Sequence, residues 1–64
     1  MLFDVRDPSG FEHRLILEGG KWYGFENLAH GYPRLERDRV IAAVLKALLT
    51  GEQMPHGYME LESL

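Results

Sequence analysis

No cysteine occurs among the 64 residues, which excludes disulfides and thiolate metal sites as sources of stability. Any apolar run approaching the roughly 18 residues of a membrane span is also missing, and the opening MLFDVRD lacks the basic and apolar regions of a secretory leader. A cytoplasmic address is expected. No H-x-x-x-H or H-E-x-x-H spacing is present, so no metal site is indicated. Hydroxyls other than tyrosine are limited to Ser9, Thr50 and Ser63. Ser9 falls in a turn sequence, so no nucleophile and base stand out as a pair. An enzyme is disfavoured, with no catalytic residue and no cofactor expected. Basic residues are outnumbered, seven Lys and Arg against ten Asp and Glu, and the net charge of -3 removes long-range attraction to phosphate.

What remains is a chain rich in apolar residues but short. A domain of this size buries only about 60% of the surface its unfolded form exposes, so its core needs a supplement. Without disulfides or metal, association is the common one. A homo-oligomer, with a dimer favoured, is therefore expected.

Residues 1 to 28 read as three strands. Met1, Phe3 and Val5 alternate with Leu2, Asp4 and Arg6, and DPSG at 7 to 10 suits a type I turn followed by a left-handed glycine. A three-residue loop pairs Asp7 with Phe11, and thus Arg6 with Glu12 and Asp4 with Arg14, both of opposite charge. It also gathers Met1, Phe3, Val5, His13, Leu15 and Leu17 on one face, whereas a two-residue loop mixes apolar and charged positions. Gly19 and Gly20 then form a two-residue turn that sets Glu18 against Lys21, Leu17 against Trp22 and Ile16 against Tyr23. The same register brings His13 to Glu26 and lays Arg14 between Asp4 and Phe25.

Pro33 suits the first turn of a helix from about 34 to 50, with Gly51 as its stop. From Val40 to Leu49 only Lys46 is polar. The stripe of Val40, Ile41, Val44, Leu45, Leu48 and Leu49 faces the core, backed by Ala42, Ala43 and Ala47 rather than by charge. HGYMELESL after Pro55 supplies a short acidic edge strand. The expected fold is α+β, one domain over residues 1–64: a three-stranded antiparallel meander, then a long helix on its apolar face, βββα or βββαβ with the fourth strand. Its predicted core is Phe3, Val5, Leu15, Leu17, Trp22, Ile41, Val44, Leu45 and Leu48.

HGYPRLE at 30 to 36 and HGYMELE at 56 to 62 share five of seven residues. The helix between them is about 25 Å long at 1.5 Å per residue, which sets His30 and His56 near opposite ends and allows a meeting only across a dimer. Turn chemistry accounts for the repeat more simply. RLERDR at 34 to 39 interleaves acids with arginines, which favours short-range pairing at a solvated helix start over phosphate binding.

Two resemblances bear on function. KWYGFENL at 21 to 28 resembles the RNP1 octamer of the RNA-recognition motif, in which aromatics at the third and fifth positions stack on bases. The resemblance gives that role to Tyr23 and Phe25, beside Arg14. Trp22, Glu26 and Leu28 depart from the motif. The element order, with FENLAHG leading to the helix, looks like the small partial ribonuclease-H-type domain of HicB-like antitoxins. Asn27 and Leu28 match that family's Pro-Asp-Leu-Pro-Gly-like element; Ala29 and His30 do not. It implies a dimeric domain that occupies a protein partner without catalysis. The residues themselves point the same way. Leu2, Arg14, Ile16, Tyr23 and Phe25 on the outer sheet face, and Ala43, Lys46 and Ala47 on the helix, are the candidate contacts for a second copy or another protein.

Overall fold

The computed structural model describes residues 1–62. Ser63 and Leu64, the end of the segment expected to form the last strand, lie outside the described residues. In chain order the elements are β1 (Leu2–Arg6), β2 (Glu12–Glu18), β3 (Lys21–Tyr23), α1 (Arg34–Thr50) and β4 (Met59–Leu61). The four strands make one antiparallel sheet in the order β3-β2-β1-β4. Of the two arrangements expected, βββα and βββαβ, it is the one with the short fourth strand.

Register follows the charges and the turns. Asp4 faces Arg14 and Arg6 faces Glu12, while Ile16 faces Tyr23 and Glu18 faces Lys21. The first hairpin closes through Asp7 N–H to the Phe11 carbonyl at 2.8 Å and Gly10 N–H to the Asp7 carbonyl at 2.9 Å. Both central residues of the second turn, Gly19 and Gly20, have positive φ, the type I′ condition.

β3 is shorter than the sequence pattern suggests. It stops at Tyr23 because Gly24 takes φ +89°, and a Cβ there would lie 2.5 Å from the Arg14 carbonyl oxygen. Only glycine permits that approach. From Gly24 the chain leaves the sheet in successive turns, with Leu28 N–H donating to the Phe25 carbonyl, His30 N–H to Asn27 and Tyr32 N–H to Ala29. These turns carry Phe25 toward the core and bury Leu28 and Ala29. Phe25 is therefore not on the outer sheet face, and the expected neighbour of His13, Glu26, is not its partner.

α1 covers residues 34 to 50 and ends on Gly51 in the left-handed conformation, whose N–H donates to the Ala47 carbonyl. Its inward stripe is Val40, Ile41, Val44, Ala47 and Leu48, with Leu45 half-buried. Ala47 is only 5% exposed, which removes it from the candidate surface. It lies three residues from Val44 on the same, buried side of the helix. Leu49, expected inside, is 55% exposed because it falls on the opposite side of the helix. No salt bridge joins the charges of residues 34 to 39 among the described residues, and these side chains are mostly solvated.

The core centres on Val5, Leu15, Leu28, Val44 and Tyr58. Phe3, Trp22, Ile41, Leu45 and Leu48 pack around it, as expected, and Leu17 is half-buried. The Phe3 and Trp22 rings lie 5.5 Å apart at a 43° tilt, an arrangement worth about 0.5 to 1.5 kcal/mol beyond its buried area.

Gly24→Ala should cost more stability than Gly31→Ala, measured by chemical denaturation. Both sites have positive φ, but a Cβ at Gly31 meets nothing within 4 Å. The conformational term alone is about 1 to 2 kcal/mol; the excess at position 24 reports the contact with Arg14.

Candidate functional site

The alternation along β1 and β2 sends Leu2, Asp4, Arg14 and Ile16 to the side of the sheet away from α1. Across the strands Tyr23, Ile16 and Leu2 stand side by side in one row. β4 extends the face, since Leu61 lies opposite Asp4 and Met59 opposite Arg6. Leu2, Tyr23 and Met59 are each at least half exposed, and Ile16 and Leu61 are half-buried. The sheet therefore shows solvent an apolar row with two aliphatic flanking positions, and β4 contributes residues that periodicity alone did not assign.

Ion pairs interrupt that face. Arg14 donates from Nε to Asp4 Oδ1 at 3.0 Å and from a terminal nitrogen to Asp4 Oδ2 at 3.2 Å. This bidentate hydrogen bond holds the Asp4 carboxyl below its ordinary range and raises Arg14. Arg6 and Glu12 make a looser pair at 3.5 Å. Arg14 is thus already engaged within the chain. Of the two aromatics proposed to stack on bases, Tyr23 alone remains outside.

A second cluster lies at the end of the first hairpin. Asp7 is 8% exposed. Its Oδ1 accepts from the Ser9 and Phe11 amides at 2.9 and 3.0 Å, and its Oδ2 pairs with His13 Nε2 at 2.8 Å. Burial alone would raise this carboxyl, but the hydrogen bonds from His13, Phe11 and Ser9 outweigh it and set it below its ordinary range. His13 is rigidly held by an acid, though by Asp7 rather than Glu26. An open hollow of about 420 Å³ lies beside them, lined by Asp7, Ser9, Phe11, Glu12, His13, Asn27 and His30. Among the described residues no group of three His, Cys, Asp or Glu side chains is placed to hold a metal ion.

The second His-Gly-Tyr segment folds back onto the loop that leads into the first, within one chain. Tyr58 is buried and donates its hydroxyl to the Leu28 carbonyl at 2.8 Å. Burial, reinforced by nearby Tyr32 and Asp7, pushes the Tyr58 phenol up to about 12. The helix separates the two segments along the sequence, but the loops at its ends both fold back over the core. His30 and His56 are both exposed.

On the helix, Ala43 and Lys46 are exposed as expected, together with Leu35, Ala42 and Leu49. No helix among the described residues is long and apolar enough to cross a membrane. Neither protein-family models, nor curated proteins, nor solved structures give a match to this chain.

Two pH-dependent outcomes follow from the buried acid and phenol. Asp7→Ala should destabilise the fold by roughly 3 kcal/mol, because it strands His13 and two amides. The depressed Asp7 contributes stability that is present above its ordinary value of 3.8 and is lost as the pH falls through its lower folded value. The acid side of a stability-versus-pH curve should therefore become shallower in the variant. Tyr58 has the opposite sign. Its raised folded value means that stability is intact below the ordinary 10 and declines as the pH climbs toward 12. Tyr58→Phe should lose about 1 kcal/mol at neutral pH and show a smaller decline over that alkaline interval in urea titrations.

Proposed function

We propose that this domain works by binding rather than by catalysis, that it self-associates, and that its outer sheet face docks a protein partner. The observation carrying the proposal is the row Tyr23, Ile16 and Leu2, extended by Leu61 and Met59, on the side of the sheet that α1 does not cover. Contiguous apolar side chains on a solvent face mark an interaction site in a small protein. The pairs Arg14–Asp4 and Arg6–Glu12 within the same face suit an interface with a polar rim and specific register. A protein surface is favoured over a nucleic-acid strand. Base stacking needs a platform of successive aromatics and free cations, whereas Phe25 packs toward the core and Arg14 is bound to Asp4.

The buried acid and histidine fit the non-catalytic reading. All three donors that Asp7 accepts come from its own hairpin, so the pair acts as a turn clamp. A role like that of HicB-like antitoxins, occupying a protein partner, is a special case of the same binding chemistry.

Sedimentation equilibrium over a dilution series should give a concentration-dependent dimer. Leu2→Lys and Tyr23→Ser should change melting by little, about 0.5 kcal/mol or less as is usual for exposed positions, and should abolish capture of the partner that the unmodified chain retains. A monomer at every concentration would sink the self-association. Equal capture by both variants and the unmodified chain would sink the sheet-face assignment.

A further inference from the structure

The side of α1 turned away from the core has a pattern that is complementary to its own reverse. Ala42 stands diametrically opposite the buried Val44 and Ala47, taking 100° per residue, and is exposed. Four residues before it is Asp38 and four after it is Lys46, both exposed. Residues at i and i+4 form one ridge on a helix surface, so Asp38, Ala42 and Lys46 lie on a single line, acid, small, base. On one flank of that line run Ile41, Leu45 and Leu49, half-buried, half-buried and 55% exposed. On the other run Leu35, Arg39 and Ala43, with Leu35 at 76% exposure.

We propose, building on the self-association reading above, that two copies of this chain pack α1 against α1 in antiparallel sense about a two-fold axis at Ala42. The i and i+4 ridges of the two helices align when they cross at about 50°. Alanine at the crossing point permits close approach of the two backbones. With the ridges aligned and opposed, each Asp38 lies against the partner subunit's Lys46, about 6 Å along the helix from the axis on either side. The flank of Ile41, Leu45 and Leu49 then meets its own copy, so that Leu45 approaches the partner subunit's Leu45 and Leu49 approaches the partner subunit's Ile41. On the other flank Leu35 reaches the partner subunit's Ala43. Arg39, central on that flank, faces the partner subunit's Arg39 across the axis, and the long stems let both charges turn outward to solvent.

Charge complementarity selects a second copy as the occupant. An acid and a base placed symmetrically about a small residue are matched by the same helix reversed, and by no uniformly charged surface. Both charges are available. Asp38 has no ion-pair partner among the described residues, and Lys46 lies 3.7 Å from an equally exposed Glu52, a surface contact of little strength.

The chain's lack of cysteine makes the geometry directly testable. Under mild oxidation Ala42→Cys should give a disulfide-linked dimer, since residues astride the axis bring their Cβ atoms to about 4 Å, whereas Glu36→Cys, exposed but off the contact, should not. In sedimentation equilibrium Asp38→Lys or Lys46→Asp alone should raise the dimer dissociation constant by about tenfold or more, because symmetry repeats the like-charge contact twice. The doubly exchanged chain should recover the dimer. Far-ultraviolet circular dichroism of each variant checks that these exposed replacements leave the fold intact. A dimer that survives both single exchanges and yields no cross-link at position 42 would overturn the helix arrangement while leaving self-association standing. An unmodified chain that stays monomeric throughout would overturn both.

Discussion

The Asp7 carboxylate is the contact on which the architecture turns. It accepts three donors and joins the end of β1 to the start of β2. Hydrogen bonds to a charged group contribute about 1.5 to 3 kcal/mol each, and a chain of this length has a total stability of only roughly 3 to 10 kcal/mol. Because such contributions are not additive, the loss of roughly 3 kcal/mol expected on removing the clamp is a large part of that margin. The clamp's influence reaches the C-terminal segment, because Pro8, beside Asp7, packs so closely on Gly57 that a Cβ there would lie 2.9 Å from the Pro8 ring. Tyr58 follows, and its hydroxyl fixes the Leu28 carbonyl in the loop before α1. The turn that Asp7 closes thus lies at one end of a chain of contacts joining three stretches that are far apart in sequence.

The two layers leave the molecule with two apolar exteriors. α1 and the sheet share one core, and the side chains that do not fit between them face outward from both layers. A larger domain would cover these surfaces with further elements. Here the exposed aliphatic positions on the helix accompany a self-matching charge pattern, while those on the sheet accompany internal ion pairs. On the reading proposed above, that difference assigns the helix face to a second copy and the sheet face to another protein.

Most of the fold was legible in the sequence because its signals are local. DPSG and GG specify turn types, opposed charges specify register, and the run to Leu49 bounded by Pro33 and Gly51 specifies the helix. What escaped detection depends on tertiary contact. Leu28, Ala29 and Phe25 enter the core from consecutive turns, where apolar residues have no period to betray them. Tyr58 reads as one half of a repeat and proves to be a buried pillar. Asp7 reads as a turn residue, and nothing in its spacing reveals that His13 completes its coordination. Leu2, Ile16 and Tyr23 were correctly grouped by alternation, but Phe25 was carried past the end of β3 because the departure at Gly24 depends on how close the Arg14 carbonyl lies. Ala47 was misplaced for a simpler reason. An alanine fits equally well inside or outside a helix, and only the neighbouring layer decides.

The pairing of β4 with β1 has a kinetic meaning. Arg6 faces Met59 and Asp4 faces Leu61, contacts between opposite ends of the chain, whereas the meander needs only two tight turns. Closing so long a loop carries an entropic penalty that grows with its length, so the meander can assemble before the last strand arrives. Both edge strands, β3 and β4, are three residues long, but only β4 depends on so distant a closure. Its departure would bare the backbone edge of β1, while Tyr58, anchored in the core by its bond to the Leu28 carbonyl, stays outside that strand.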